Sequence, residues 1–323
     1  MDQLTSQDYR PVVIGIVGDS GAGKTTLAAG LAEALGRERT LVICTDDYHR
    51  QSRAERARLG VTPHDPACNY MDILEQHIDL LRAGEPVLKP VYNHRGGVLD
   101  PPEYVTPKPF IILEGLLGYS SARLRDAYDI KLYLEPRESL RTRWKFQRDI
   151  TLGAYTVEQV MASLERLNAD SRRFIIPQRG FADMVVNFYP PDDDPEETGG
   201  RLNAVHILRP TLPYLDLTPV LEAGQGRFVL ELARDVDGRP VDALHILGAM
   251  DEPVAQTVEA ALQRLIPAPS PVDDGLGRFV DADGNPRRSH PLALSQLLVT
   301  HYLLNAAVSH IVPAAAGTGH HVR

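Results

Sequence analysis

The sequence predicts an α/β fold built on a mainly parallel β-sheet with helices on both faces. Short apolar runs, rich in β-branched residues, alternate with segments of helical periodicity through the first 190 residues. Alternation of this kind implies parallel strands joined by helices that cover the sheet. The predicted strands are Val12–Val17, Thr40–Cys44, Phe110–Glu114, Ile130–Leu134 and Met184–Tyr189, and the predicted helices lie near residues 24–36, 70–83, 137–151 and 156–169.

After residue 190 the pattern changes. Residues 191–200 are rich in proline, glycine and acidic side chains, so we expect an exposed connector between a core (1–190) and a C-terminal α+β extension (201–323). We expect the extension to pack on the core, to enlarge its sheet and to supply the surface of a homo-oligomer, most simply a dimer. Its predicted strands are Asn203–Arg209 and Arg227–Ala233, and its predicted helices are 252–265 and 291–311.

Composition excludes several classes of protein. The formal net charge of −9 argues against a nucleic-acid partner, which would require a basic face. No stretch approaches the roughly 18 apolar residues of a membrane-spanning helix, and the first ten residues lack a basic-then-apolar signal. Cys44 and Cys68 are the only cysteines, too few for a disulfide scaffold, so we expect a cytoplasmic protein.

Residues 18–25 (GDSGAGKT) match the phosphate-binding pattern G-x-x-x-x-G-K-[ST] in full, between a predicted strand and a predicted helix. The glycines allow the loop to fold tightly with its N–H groups pointing inward. The motif predicts a P-loop nucleoside-triphosphate hydrolase fold in which Lys24 is catalytic and contacts the phosphates of ATP, while Thr25 binds Mg²⁺. The predicted nucleotide-binding residues are Gly18, Asp19, Ser20, Gly21, Ala22, Gly23, Lys24, Thr25 and Thr26.

The loop alone does not distinguish a kinase from a GTPase or a motor ATPase. Acidic residues at two strand ends favour a kinase, and the alternative for each of them is a helix-capping or turn acid. Asp46 and Asp47 follow the strand Thr40–Cys44, and Glu114 ends the strand Phe110–Glu114. Ligands of open parallel sheets bind at the carboxyl ends of the strands. We expect Asp46 to be the base that accepts a proton from the acceptor hydroxyl, and Glu114 to bind Mg²⁺ directly or through water. We expect Asp47 to cap the next helix or to hold Asp46.

Lys145, Arg148 and Asp149 recur at i, i+3 and i+4 in a predicted helix, so they share one face. Spacing alone fits a solvated salt-bridge stripe equally well. The functional alternative is a pair of catalytic cations beside an acid near the metal.

Together these motifs resemble the phosphoribulokinase/uridine kinase family, and within it the plant and cyanobacterial phosphoribulokinases. The resemblance covers most of the chain in one order. The core segments are VIGIVGDSGAGKTT (13–26), VICTDDYHR (42–50), GVTPHDPACNYMD (60–72), KPVYNHRGGVLDPPE (89–103), IILEGL (111–116), WKFQRD (144–149) and IPQRGFAD (176–183). The later segments are LNAVHILRPTLPYLDL (202–217), RPVDALHILG (239–248) and LALSQLL (292–298).

The resemblance implies a role for each matching position. Asp46 matches the base, His49 and Arg53 match sugar-phosphate-binding positions, and Tyr92 and His94 match residues that line the sugar site. Glu114 and Asp149 match acids near Mg²⁺, and Lys145 and Arg148 match a charge-neutralising helix. The implied reaction is ATP-dependent phosphorylation of D-ribulose 5-phosphate to D-ribulose 1,5-bisphosphate.

Two departures from the family pattern keep alternatives open. Gly153 stands where relatives have a second arginine, so the acceptor can instead be another sugar phosphate or a nucleoside such as uridine. Arg172 and Arg173 are candidates to replace the missing charge. Ala22 stands where chloroplast relatives have a cysteine, which leaves Cys44 without the partner of their thiol switch. A nucleotide-binding regulator with weak turnover is the alternative from another class.

Overall fold

A computed structural model describes residues 10–151, 166–266, 275–281 and 284–311. No helix within these ranges is long and apolar enough to cross a membrane. The strands are β1 (Val12–Gly18), β2 (Thr40–Cys44), β3 (Val87–Asn93), β4 (Val98–Val105), β5 (Phe110–Gly115), β6 (Ile130–Leu134), β7 (Met184–Tyr189), β8 (Asn203–Leu208), β9 (Phe228–Arg234), β10 (Pro240–Ile246), β11 (Arg278–Val280) and β12 (Pro286–Arg288). The helices are α1 (Lys24–Leu35), α2 (Arg53–Leu59), α3 (Met71–Arg82), α4 (Ala122–Ala127), α5 (Glu138–Thr151), α6 (Thr218–Ala223), α7 (Glu252–Leu265) and α8 (His290–Ile311).

One eight-stranded sheet organises the fold, in the order β2-β5-β1-β6-β7-β8-β10-β9. β2, β5, β1, β6 and β7 are parallel to one another, and β8, β10 and β9 continue the sheet in antiparallel fashion. The mainly parallel α/β fold predicted from the sequence is therefore confirmed. The sheet also runs without interruption into residues beyond 200, because β8 pairs with β7 along its whole length.

Both faces of the parallel part are covered by helices, as expected from its apolar strands. All seven residues of β1 are buried. Because successive side chains point to opposite faces, Ile14 and Ile16 pack with α1 and α8 on one side, whereas Val13 and Val17 pack with α3 and α4 on the other. The phosphate-binding loop thus leaves the sheet at a point where the backbone is held from both sides.

The C-terminal helix α8 lies directly against α1, the helix that follows the phosphate-binding loop. Gln296 donates from Nε2 to the Thr26 carbonyl at 3.4 Å and accepts from the Gly277 amide at 2.8 Å. A Cβ on Gly30 would lie only 2.0 Å from the Gln296 amide nitrogen. This close approach requires glycine in α1 and brings the C-terminal part of the chain up behind the loop.

The predicted strands of the core coincide with the observed ones to within a residue. The hairpin β3–β4 was not predicted, because prolines at 90, 101 and 102 interrupt its pattern and seven of the eight residues of β4 are exposed. β10, β11, β12, α2, α4 and α6 were also missed, the helices because each has only six or seven residues. The predicted helix 156–169 lies mostly outside the described residues.

Candidate active site

The phosphate-binding loop runs from β1 to α1 and curls around its own lysine. Gly21 and Gly23 have φ angles of +83° and +89°, which residues with a side chain rarely adopt. The Lys24 ammonium donates to the carbonyls of Gly18 and Asp19, both at 3.0 Å, and the residue is only 8% exposed. A Cβ at Gly21 would lie 2.7 Å from the Cβ of Lys145. The loop therefore fits a phosphate cradle with a lysine held inside it.

Helix α5 covers this loop with cations. Arg141 donates to the Ser20 carbonyl at 2.7 Å, and Arg148 donates to the Ser20 hydroxyl at 3.1 Å. Sequence reasoning missed Arg141, although it lies one helical turn before Lys145 and therefore on the same face. The positive charge around the loop suits a polyphosphate ligand.

As expected from their spacing, Lys145, Arg148 and Asp149 lie together. The Asp149 carboxylate accepts from Lys145 Nζ at 2.7 Å and from Arg148 Nη2 at 2.8 Å. Burial raises the pKa of Asp149, but Arg148 and Lys145 outweigh that effect and lower it. Both carboxylate oxygens thus contact cations, and the role of Asp149 as a metal ligand stays a prediction.

Thr25 and Glu114 form a direct pair beside the loop. The threonine hydroxyl donates to Glu114 Oε1 at 2.9 Å, and Glu114 is buried. Burial raises the pKa of Glu114, and Asp46 adds to the rise, against the opposing charge of Lys24. Within the described residues no three His, Cys, Asp or Glu side chains form a metal site. A hydroxyl and one carboxylate fit Mg²⁺, which takes its other ligands from water and phosphate.

Asp46 lies in a 3₁₀ turn (Thr45–Tyr48) that follows β2. Its Oδ1 is 3.2 Å from the Cβ that Gly115 lacks, so glycine at the end of β5 allows the two strand ends to meet. Burial raises the pKa values of both Glu114 and Cys44, and the negative charge of Asp46 raises them further. Among the residues that the structure describes, none donates a hydrogen bond to the Asp46 carboxylate. The oxygens of Asp46 are therefore available to a ligand.

The expectation that Asp47 caps the next helix or holds Asp46 is wrong. Its carboxylate instead accepts from Lys89 Nζ at 2.6 Å and from the Tyr92 amide at 3.0 Å. Lys89 is itself buried, so this ion pair is shielded from water. Asp47 therefore fixes β3, and with it Tyr92, against the turn that carries Asp46.

His49, Tyr92 and His94 form an aromatic cluster next to Asp46. The Tyr92 ring centroid lies 4.8 Å from that of His49 and 5.0 Å from that of His94. Arg56, which sequence reasoning missed, donates to the Tyr92 hydroxyl at 2.7 Å. Arg53 donates to the His94 carbonyl at 2.5 Å. The predicted sugar-phosphate residues are thus brought together, with a second arginine behind them.

The orientation of His49 is determined by Asn69. The Asn69 amide donates to the carbonyls of Asp65 and Pro63, at 2.9 and 3.2 Å, so its oxygen faces His49 Nδ1 at 2.6 Å. Nδ1 must then carry a proton. Burial lowers the pKa of His49, although Asp46 opposes this effect, so the ring is neutral near pH 7 and Nε2 is its acceptor nitrogen.

The residues at which the sequence departs from the family pattern, and the two cysteines, lie as follows. Gly153 lies outside the described residues. Arg172 and Arg173 are exposed. Cys44 and Cys68 are free thiols, and Ala22 is buried at the base of the loop.

Comparison with known proteins supplies the family. The sequence model of the Phosphoribulokinase / Uridine kinase family matches residues 13–194, more than half of the chain. The chain belongs to this family. All the predicted site residues lie within the matched range, so the resemblance seen in the motifs is confirmed.

Relatives within the family include phosphoribulokinases and uridine kinases. The phosphoribulokinase of Synechocystis sp. is 40% identical over 187 residues, which cover 58% of this chain and 56% of that protein. The chloroplastic phosphoribulokinase of Mesembryanthemum crystallinum is 33% identical, over 62% and 55% of the two chains. A uridine kinase of Latilactobacillus sakei is 31% identical, over 57% and 88%. The chain thus spans little more than half the length of the phosphoribulokinases that it matches.

Among solved structures, the phosphoribulokinase from Rhodobacter spheroides has a TM-score of 0.56 at 18% identity. The match covers 81% of this chain and 95% of that one. At this level of identity the similarity supports the fold, including part of the chain beyond residue 194.

Proposed function

We propose that this protein is an ATP-dependent kinase that phosphorylates D-ribulose 5-phosphate to D-ribulose 1,5-bisphosphate. One observation carries the proposal: the Asp46 carboxylate, to which no described residue donates a hydrogen bond, lies beside Gly115 at the end of β5 and close enough to both Glu114 and His49 to shift the pKa of each. A base between a phosphate cradle and a polar pocket suits transfer to a hydroxyl. The relatives named phosphoribulokinase support this choice of acceptor.

On the nucleotide side, the backbone N–H groups of the loop and Lys24 would bind the phosphates of ATP. Thr25 and Glu114 would hold Mg²⁺, which neutralises phosphate charge when bound. Lys145 and Arg148, held by Asp149, place two further positive charges beside Ser20. These charges favour the transition state, in which negative charge is spread over the transferred group.

On the acceptor side, Asp46 would accept the proton of the reacting hydroxyl. His49 presents Nε2 because Asn69 occupies Nδ1, and Arg53 adds a cation for the phosphate of the sugar. Tyr92 and His94 line the same cluster and would orient the sugar. Holding the acceptor in this orientation converts a bimolecular reaction into an effectively unimolecular one.

The experiment compares Asp46→Asn with Asp47→Asn in the purified protein, with ATP, Mg²⁺ and a panel of D-ribulose 5-phosphate, D-ribose 5-phosphate and uridine. We expect D-ribulose 5-phosphate to be the best substrate of the wild type. Asp46→Asn should reduce kcat by about 10²–10⁴ with little change in the KM for ATP. Asp47→Asn is the matched control, and it should mainly raise the KM for the acceptor, because Asp47 holds β3 rather than the reacting group.

Three results would contradict the proposal. Turnover of Asp46→Asn close to that of the wild type would exclude Asp46 as the base. A wild-type preference for uridine would move the protein to the nucleoside-kinase branch of its family. ATP binding without phosphorylation of any acceptor would favour the regulator that the sequence left open.

We also propose that the chain forms a homo-oligomer through β9. Within the described residues this strand is one of the two edge strands of the sheet, and no described strand pairs with the outer row of its backbone N–H and C=O groups. Val229 and Leu232 are 39% and 90% exposed. An exposed apolar edge strand is a template for pairing with another chain, and a second copy would cover it.

A further inference from the structure

Asp19, inside the phosphate-binding loop, is bonded to the protein through both of its carboxylate oxygens. The Ser20 amide donates to Oδ1 at 2.6 Å, and the Ser171 hydroxyl donates to Oδ2 at 2.5 Å. Arg141 and His64 Nε2 each lie 3.7 Å from the carboxylate. Burial raises the pKa of Asp19, but Arg141 and these other contacts outweigh it and lower the pKa. An ionised, occupied carboxylate would repel a phosphate rather than bind it, so the Asp19 side chain has a role other than contact with phosphate.

Ser171, the donor to Asp19, belongs to a short segment that also contacts the acceptor side. We call residues 166–171 the strap and residues 60–69 the acceptor-side loop. The Thr62 hydroxyl donates to Asp170 Oδ2 at 2.6 Å, and His64 Nδ1 lies 3.1 Å from the Leu167 carbonyl. The strap is therefore bonded to the acceptor-side loop at two points and to the phosphate-binding loop at one.

The environment of His64 favours a hydrogen bond from its ring to the strap. Its side chain is 2% exposed. Burial lowers the pKa of His64, against the opposing effects of Asp19 and the Leu167 carbonyl, so the ring is neutral near pH 7 and carries one proton. A carbonyl oxygen can only accept, so that proton lies on Nδ1.

The acceptor-side loop ends at Asn69, whose oxygen accepts from His49. A continuous series of contacts therefore leads from the predicted sugar-phosphate residue His49, through the loop and the strap, to Asp19 and the Ser20 amide. None of the residues between Asn69 and Asp19 has a role in the proposed chemistry.

We propose that Asp19 couples the acceptor site to the phosphate-binding loop through the strap, with His64 and Ser171 as the positioning residues of this connection. The inference rests on the proposed function, because it assigns the two ends of the connection to two substrates. A nucleotide that orders the phosphate-binding loop must then also stabilise the acceptor-side loop and so raise the affinity for the acceptor. By linkage, the acceptor must raise the affinity for the nucleotide by the same factor.

The test measures hydrogen exchange of the amides in residues 60–69, with and without a saturating non-hydrolysable ATP analogue and Mg²⁺, so that no acceptor is needed. We expect the analogue to slow exchange there by about fivefold or more in the wild type. Ser171→Ala should abolish this protection while still binding the analogue, and Ser171→Thr, which keeps the hydroxyl, should restore it. Ser121→Ala is the matched control. The Ser121 hydroxyl donates to Glu75 at 2.5 Å, and this hydrogen bond lies outside the strap.

A second pair of variants tests the other end of the strap and serves if Ser171→Ala does not fold. His64→Leu removes the donor to Leu167, whereas His64→Asn keeps an amide donor at the position of Nδ1. Only His64→Leu should lose the protection. Full protection in Ser171→Ala or His64→Leu, or none in a wild type that binds the analogue, overturns the inference and leaves nucleotide binding intact. A wild type that does not bind the analogue contradicts the proposed function, and the inference with it.

Discussion

His206 lies at a contact between the sheet and the C-terminal helix, and its burial predicts a pH dependence of the free energy of unfolding. It lies on β8 and is fully buried. Its Nε2 lies 2.8 Å from the hydroxyl of Ser295 on α8, and that hydroxyl donates to the Pro291 carbonyl, so it accepts from His206. Burial lowers the pKa of His206 from its ordinary value of 6.5 to about 3.

The sign and size of the pH effect follow from these two values. Below about pH 6.5 the unfolded chain takes up a proton at His206, whereas the folded protein does not until about pH 3. The contribution of His206 to stability is therefore complete above pH 6.5 and is lost as the pH falls toward 3. One pKa unit corresponds to about 1.4 kcal/mol. The loss between about pH 7.5 and 4.5 is then about 2 to 3 kcal/mol.

The assay is urea unfolding of the wild type, His206→Leu and His206→Gln across this pH range. Both variants lack the titrating ring, and glutamine keeps an amide donor for Ser295. We expect the free energy of unfolding of the wild type to fall by about 2 to 3 kcal/mol more than that of either variant. The two variants should differ from each other by a constant amount. Equal pH dependence in all three proteins would refute the reasoning.

Two further predictions concern the acceptor site and the oligomer. Tyr92→Phe removes the hydroxyl that accepts from Arg56. The KM for the acceptor should therefore rise about tenfold in steady-state assays, as expected for the loss of a hydrogen bond to a charged group. A fall in kcat at unchanged KM would contradict the role of Tyr92 in binding. Leu232→Asp places a charge on the exposed edge strand and should convert the proposed oligomer to monomers in light scattering. Val236→Asp, at a position that is also exposed but lies beyond the strand, should not. An unchanged mass for Leu232→Asp would exclude β9 as the interface.

The parts of the site that sequence predicts well are those determined by local chain geometry. The phosphate-binding loop follows from the glycine spacing between β1 and α1, and the nearness of Asp46 to Glu114 follows from the parallel register of β2 and β5, in which Cys44 lies beside Glu114. The parallel order itself follows from strands that alternate with helices. Neighbouring strands end at the same edge of a sheet, so a residue just after each strand can be placed without coordinates.

The sequence by itself therefore determined the fold class, the phosphate cradle and the acids at the strand ends. Only the tertiary structure revealed that Asp47 binds Lys89 and Tyr92, that Arg56 stands behind Tyr92, and that Asp19 is bonded to Ser171. Each of these contacts joins residues 36 to 152 positions apart in the chain. No local spacing encodes such a pair, because its geometry depends on how separate elements pack against the sheet. The motif residues are predictable because the local backbone positions them. Their supporting partners are not predictable, because the packing of separate elements positions those residues.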